Sequence, residues 1–149
     1  MMRRYEQFSA AISAIYHHIQ QIEREEMERL GGKGTFAQYL AALYRHPDGL
    51  TSTELSESCD RDKAAVSRAV QEMEVQGLLV RQGVGPYRAR LTLTEAGCRA
   101  AEFVRERAKA AVDAGGEGLT DEARASLYAS LALIAENLGR VRREGLPEE

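Results

Sequence analysis

The order of elements predicted between residues 51 and 93 constrains the fold of this chain most. Thr51 and Glu54 stand at the spacing of a capping box, in which each side chain accepts a hydrogen bond from the other residue's backbone N–H. This pattern predicts a short helix that ends near Cys59. A tight turn, a second helix and a strand pair are predicted to follow it.

The second helix of this segment is predicted to have one apolar and one polar side. Asp60 or Asp62 can cap its start, and Gly77 is a stop signal after Gln76. The apolar side carries Val66, Ala69, Val70 and Met73. The opposite side carries Ala64, Arg68, Gln71 and Val75, flanked by Lys63 and Ser67.

Residues 78–93 have the pattern of a β-hairpin. We expect one strand over 78–82, a turn at Gly83-Val84-Gly85-Pro86 and a second strand over 87–93. The second strand alternates, with Tyr87, Ala89, Leu91 and Leu93 on one side and Arg88, Arg90 and Thr92 on the other. Both arginines can therefore leave the core together.

Two helices, a tight turn and a basic hairpin are typical of a winged helix-turn-helix, whose second helix enters the major groove of DNA. Ser67, Arg68 and Gln71 could meet base edges or phosphates there. Arg88 and Arg90 could reach the DNA backbone or the adjacent minor groove, where negative potential favours guanidinium groups. The fold class expected is mainly α with a small β-hairpin wing.

The net charge of the chain, -3, does not exclude DNA as a partner, because nucleic-acid binding depends on where the charge lies. Residues 61–90 contain six basic and three acidic side chains, so this segment is positive and the remainder is negative. The bases are Arg61, Lys63, Arg68, Arg81, Arg88 and Arg90.

Both ends of the chain are predicted to form long amphipathic helices. The first has an apolar stripe at Tyr5, Phe8, Ile12, Ile15, Ile19 and Ile22 and ends near Leu30, before Gly31-Gly32-Lys33-Gly34. The last begins at Thr120 and Asp121, and its stripe is Leu127, Leu131, Ile134, Leu138 and Val141. A small winged lobe cannot cover two such stripes, so we expect a homodimer through Tyr5, Phe8, Ile12, Leu127, Leu131, Ile134 and Leu138.

Two more helices are predicted between these segments. Thr35 and Gln38 form a second capping-box pattern, which predicts a helix through Leu40 that stops before Pro47. Thr94 is the expected N-cap of a fifth helix, which runs through Phe103 and Val104 towards Gly115-Gly116.

Other classes of protein find little support in the sequence. No run of 18 apolar residues and no signal peptide is present, so we expect a cytoplasmic protein without a membrane partner. No catalytic motif occurs, and we expect no enzyme activity and no cofactor. Cys59 and Cys98 are expected to be reduced thiols. His17 and His18 point about 100° apart on a helix, so no metal site is expected there.

Three tyrosines are candidates for an effector site. Tyr16, Tyr39 and Tyr44 could line a pocket between the first two helices and the winged lobe. Packing in the core or at an interface is the more ordinary role for such side chains.

The sequence resembles the MarR family of transcriptional regulators. The landmarks are Leu50-Thr51, Glu54-Leu55-Ser56, Asp62-Lys63-Ala64-Ala65-Val66-Ser67-Arg68, Gly77-Leu78-Leu79-Val80 and Leu93-Thr94-Glu95-Ala96-Gly97. The resemblance implies a dimer with interlocked terminal helices, two winged lobes that straddle a pseudo-palindromic operator, and a small effector that tunes their separation. It also implies one domain, with dimerisation helices over 1–34 and 115–149 and a winged-helix lobe with a connecting helix over 35–114.

The wing departs from the family pattern. MarR-family wings commonly carry an Asp-x-Arg element, whereas this sequence has Gly85-Pro86-Tyr87-Arg88. Arg88 and Arg90 are therefore both candidates for the wing contact. The full set of expected DNA-binding residues is Lys63, Ala65, Ser67, Arg68, Gln71, Arg81, Arg88 and Arg90.

The sequence leaves two alternatives open. A repressor relieved by an effector is the expected function, but repression and activation are not distinguished. A winged-helix module that binds protein instead of DNA would use the same helices, since a fold does not dictate its function.

Overall fold

The computed structural model describes residues 2–85 and 88–148, and within them the chain forms six α-helices and one two-stranded hairpin. The described part divides into two compact units, within Met1–Val112 and Asp113–Glu149. The elements are α1 (Met2–Arg29), α2 (Phe36–Tyr44), α3 (Ser52–Cys59), α4 (Lys63–Val75), β1 (Leu79–Gln82), β2 (Arg90–Leu93), α5 (Glu95–Gly115) and α6 (Asp121–Glu144). The mainly helical fold with a small hairpin is confirmed.

The starts of α3 and α4 are capped as the sequence predicts. Thr51 Oγ1 accepts a hydrogen bond from the Glu54 N–H at 3.1 Å, and Glu54 Oε2 accepts one from the Thr51 N–H at 3.3 Å. Asp62 rather than Asp60 caps α4, because its Oδ1 accepts from the Ala65 N–H at 2.6 Å. Asp60 instead takes the left-handed conformation that ends α3. The turn between the two helices is thus specified from both sides.

The capping box predicted at Thr35 and Gln38 is wrong. Thr35 is already in a right-handed helical conformation, and its side chain makes no capping hydrogen bond. The first N–H groups of α2 are satisfied by the preceding turn, where Phe36 donates to the Lys33 carbonyl at 3.0 Å and Ala37 to the Gly34 carbonyl at 3.2 Å. Thr35 thus belongs to the turn that leads into α2 and does not act as a side-chain cap.

The hydrophobic core of the first unit surrounds α2. Its fully buried side chains include Phe36, Leu40, Leu43, Leu55, Val66, Val70, Met73, Leu79 and Leu91. The four residues predicted as the apolar side of α4 are all buried. Burying one such aliphatic side chain stabilises a fold by about 1.5–3 kcal/mol, so this cluster holds α4 firmly against the lobe.

The hairpin pairs β1 with β2 in antiparallel register, from Leu79 opposite Leu93 to Gln82 opposite Arg90. The second strand is shorter than predicted, since Arg88 lies in a turn and pairing begins only at Arg90. Pro86 and Tyr87, predicted in the turn and the strand, lie outside the described residues. Leu50 and Leu91 exchange two backbone hydrogen bonds of 3.1 and 2.7 Å, which join the hairpin to the chain before α3.

Thr94 caps the start of α5, as predicted, and also ties it to the turn that follows α4. Thr94 Oγ1 accepts from the Gly97 N–H at 3.1 Å and donates to the Gly77 carbonyl at 2.6 Å. Gly97 is buried, and a Cβ on it would overlap the carbonyl oxygen of Leu78. Only glycine allows this close approach.

In the second unit, Thr120 caps α6 by accepting a hydrogen bond from the Ala123 N–H at 3.1 Å. No residue of α6 is buried, and Leu127 and Leu138 are 43 and 54 % exposed. In the first unit the α1 stripe is also open, with Tyr5 74 % exposed. None of the helices described combines the length and hydropathy needed to cross a bilayer.

We predict that Gly97→Ala lowers the free energy of unfolding by about 1–3 kcal/mol, because the added methyl group must push the Leu78 carbonyl away. Gly115→Ala, at a position where a Cβ meets nothing within 4 Å, is the matched control and should be neutral or slightly stabilising. Urea unfolding of the two variants measures the difference. Equal stability of both would contradict the packing described here.

Candidate nucleic-acid interface

The outward side of α4 is a polar surface backed by the core. Lys63, Ser67, Arg68 and Gln71 are all exposed on it, and Val75 is 88 % exposed at its end. Ala65 is half-buried and lies towards α2, where it lines a cleft with Arg68. The structure therefore brings four predicted DNA-binding side chains together on one helix face.

The two glutamates of α4 are each neutralised by a base from another element. Glu72 Oε2 lies 2.7 Å from Lys33 Nζ, in the loop between α1 and α2. Glu74 Oε2 accepts a hydrogen bond from Arg81 Nε of β1 at 3.0 Å. Lys63, Arg68 and Arg88 form no ion pair within residues 2–85 and 88–148. These three bases are therefore not held by a carboxylate of the described residues.

The three basic residues of the hairpin differ in their surroundings. Arg88 is exposed in the turn. Arg81 is held by Glu74, as described above. Arg90 donates a hydrogen bond from Nη1 to the Gly49 carbonyl at 3.0 Å, which ties the base of the wing to the turn before α3. Of the two wing candidates, only Arg88 has its guanidinium exposed without a protein partner among the described residues.

Gly49 makes the Arg90 contact possible. Its φ of +92° favours glycine, and a Cβ there would lie 2.9 Å from both the Leu91 carbonyl oxygen and Thr92 Cγ2. The backbone of the turn consequently lies directly against β2, within reach of the Arg90 side chain.

The structure separates the three candidate effector tyrosines. Tyr16 is 62 % exposed on α1, whereas Tyr39 is buried in the core. Tyr44 lines a cavity of about 310 Å³ between α1, α2 and α5, together with Glu23, Arg45 and Arg105. Its hydroxyl donates to Glu102 Oε1 at 3.1 Å, and this hydrogen bond raises the pKa of Tyr44. Of the three, only Tyr44 lines this cavity.

Sequence reasoning missed the partners of these charges. The sequence shows Lys33 only as part of a glycine-rich connection and Arg61 only as one of the six bases of residues 61–90. Arg61 Nε donates to Gln38 Oε1 at 3.3 Å, across 23 residues of sequence. No local spacing rule reveals such a pair.

The sequence and fold of this chain match those of known proteins. Residues 34–86 match the model of the MarR family. The resemblance to the MarR family is confirmed. A MarR transcriptional regulator from Methanosarcina mazei Go1 is 26 % identical, with a TM-score of 0.77 over 91 % of this chain and 92 % of that one. Among curated proteins, none matches the chain.

The MarR-like fold also extends to a regulator seen with DNA. MepR, a transcription regulator of the Staphylococcus aureus multidrug efflux pump MepA, is 22 % identical, with a TM-score of 0.70 over 88 % of this chain and 98 % of that one. In the structure of the S. aureus MepR–DNA complex, the protein chain is 21 % identical, with a TM-score of 0.68 over 88 % of this chain and 97 % of that one. The MarR-type winged-helix fold therefore covers most of this chain.

We predict that Arg90→Ala loosens the base of the wing, because the Gly49 carbonyl loses its donor. Backbone hydrogen exchange at Leu50 and Leu91, whose N–H groups join the two segments, should become faster than in the unmodified protein. Arg88→Ala removes the same charge from an exposed side chain and should leave these two amides unchanged. Equal exchange rates in both variants would show that the Arg90 hydrogen bond does not stabilise the base of the wing.

Proposed function

We propose that this MarR-like chain is a sequence-specific DNA-binding transcription regulator that acts as a homodimer. The observation that carries the proposal is the exposed face of α4, whose Lys63 and Arg68 form no ion pair with the part of the chain that the structure describes, while both of its glutamates are neutralised. An α-helix fits the major groove, and arginine and glutamine can each bind a base edge with two hydrogen bonds. Lys63, Ser67, Arg68 and Gln71 would face the DNA.

The wing supplies the second contact in this proposal. Arg88 is the residue that we assign to the DNA backbone or the minor groove, since its guanidinium is exposed. Arg81 and Arg90 bind protein groups, so we assign them to holding α4 and the wing in place. Ala65 supports the same surface from its half-buried position.

The proposal of a homodimer is supported by the exposed apolar stripes. Tyr5, Phe8 and Ile12 on α1 and Leu127 and Leu138 on α6 are each at least 40 % exposed, and Leu131 and Ile134 are half-buried. Exposed apolar stripes of this kind mark protein interfaces. A two-fold dimer would read a pseudo-palindrome with half-sites about 10 base pairs apart.

An effector is proposed to act through the separation of the two α4 helices. A ligand that prefers a spacing unable to bind DNA shifts the population away from the DNA-bound form, by its differential affinity for the two shapes. The cavity beside Tyr44 is the described site with an apolar floor and charged rim that suits such a ligand. Repression relieved by an effector and a cytoplasmic location stay predictions.

The alternative of a winged-helix module that binds protein predicts a different response to DNA. Specific DNA binding should fall steeply with salt and still discriminate between sequences. A protein-binding module would not combine a steep salt dependence with discrimination between DNA sequences.

We predict that Arg68→Ala weakens binding to the operator by about 1–3 kcal/mol, if the guanidinium meets a base. Arg99→Ala is the control, because Arg99 is an exposed arginine of α5 paired with Glu95. Titration of both variants onto the same labelled duplex compares an equal loss of charge. A folded Arg68→Ala protein that binds the operator as the control does would remove the central assignment.

We predict that the protein in solution has about twice the 16.5 kDa mass of the chain. Ile12→Glu, which puts a charge into the α1 stripe, should shift the mass measured by light scattering towards the single chain. Ala10→Glu places the same charge on the opposite side of α1 and should leave the dimer intact. A monomeric unmodified protein would refute this part of the proposal.

A further inference from the structure

A cleft of about 220 Å³ lies between the start of α2 and the flank of α4. We call it the α2–α4 cleft, and its polar lining is Lys33, Thr35, Gln38, Arg61, Arg68 and Glu72. Its floor includes Tyr39, which is buried. It opens beside the face of α4 described above, since Arg68 belongs to both surfaces.

Arg61 is an exposed residue that lines this cleft, and two hydrogen bonds hold its backbone while one orients its side chain. Its Nε donates to Gln38 Oε1 at 3.3 Å, which leaves the two terminal nitrogens of the guanidinium for another acceptor. Its backbone N–H donates to the Ser56 carbonyl at 3.1 Å, and its carbonyl accepts from the Ser56 hydroxyl. Ser56 is buried. Ser56 therefore fixes the backbone of Arg61, and Gln38 orients its side chain.

The charges around the cleft favour an anion. Arg61 and Arg68 form no ion pair within the described ranges 2–85 and 88–148, and the glutamate of the cleft, Glu72, is neutralised by Lys33. Both guanidinium groups line the cleft together with the buried Tyr39. Burial raises the pKa of Tyr39, and Cys59 and Asp62 raise it further, whereas Arg61 and Arg68 lower it.

The position of the cleft relates this anion site to DNA. The major groove is about 12 Å wide and a helix with its side chains is about 10–12 Å across, so a helix in the groove has a phosphate strand along each flank. The α2–α4 cleft lies on one flank of α4. A guanidinium presents parallel N–H donors that match two phosphate oxygens.

We propose that the α2–α4 cleft binds a backbone phosphate of DNA through Arg61, beside the base-reading face of α4. This inference rests on the proposed function and adds a contact that the sequence motifs did not indicate. Arg61 fixes how deep and at what angle α4 enters the groove, whereas Gln38 positions Arg61.

The test compares Arg61→Ala with Arg99→Ala, which removes the same charge from α5, outside the lining of the cleft. Affinity for the operator and for an unrelated duplex is measured from roughly 50 to 200 mM salt. Arg61→Ala should weaken both duplexes by the same factor, roughly tenfold, and reduce the slope of log affinity against log salt by about one. Arg99→Ala should change neither value. Thermal unfolding of each variant confirms that the fold is kept.

Gln38→Ala tests the positioning role without a change in charge. It should weaken both duplexes by less than Arg61→Ala does, and it should have no effect in an Arg61→Ala background, because Gln38 acts through that arginine. Additive losses in the double variant would overturn the role given to Gln38.

Three outcomes would overturn the phosphate assignment. Arg61→Ala could match the Arg99→Ala control, or it could weaken only the operator, which would indicate a base contact. The third outcome has two parts. Inorganic phosphate at tens of millimolar stabilises the DNA-free unmodified protein but not the Arg61→Ala variant, and the Arg61→Ala variant binds DNA as tightly as the unmodified protein. The cleft would then bind a free anion and not a DNA phosphate. A protein that binds duplexes without preferring the operator would refute the proposed function. An equal loss of affinity for both duplexes in Arg61→Ala would still support a phosphate contact in the α2–α4 cleft.

Discussion

The burial of one side of α4 is the interaction on which the rest of this structure depends. Val66, Val70 and Met73 are completely buried, and each contributes about 1.5–3 kcal/mol when it leaves water. Because a helix turns by about 100° per residue, fixing these side chains inward also fixes Arg68 and Gln71 outward. The polar face of α4 is therefore a consequence of core packing. A change in that packing would redirect every α4 side chain that is proposed to face DNA.

Electrostatics adds a second constraint to the same helix. A DNA-facing helix with two unneutralised glutamates would be repelled by phosphates, and here Lys33 and Arg81 pair with these acids from neighbouring elements. The exposed pairs contribute little to stability. Their effect lies in the charge that α4 presents, which explains how a chain with a net charge of -3 can hold a positive surface. The hydrogen bond from Arg90 to the Gly49 carbonyl fixes the wing beside that surface.

The parts of the structure that follow local rules could be predicted from the sequence. Thr51, Asp62, Thr94 and Thr120 each accept a hydrogen bond from an N–H three residues ahead. Cap-forming residue types located these four helix starts, although the sequence left Asp60 and Asp62 both open for α4. Thr35 shows the limit of the rule, since its helix continues a turn that the capping pattern does not record. The contacts that distinguish the roles of the basic residues join distant positions, such as Arg90 and Gly49, 41 residues apart. Sequence spacing holds no signal for such pairs, so the sequence predicts Arg81 and Arg90 as DNA contacts without indicating the protein groups that they bind.

The central claim is that the α4 face reads a DNA sequence, and one binding measurement tests it most directly. Purified protein is titrated onto labelled DNA from upstream of its own gene, at near-physiological salt, with an excess of unrelated duplex as competitor. The account predicts tight binding that survives the competitor, because base contacts add about 4–10 kcal/mol to the binding that any duplex provides. Binding abolished by the competitor on this DNA, and on duplexes enriched by the protein from a random pool, would contradict it.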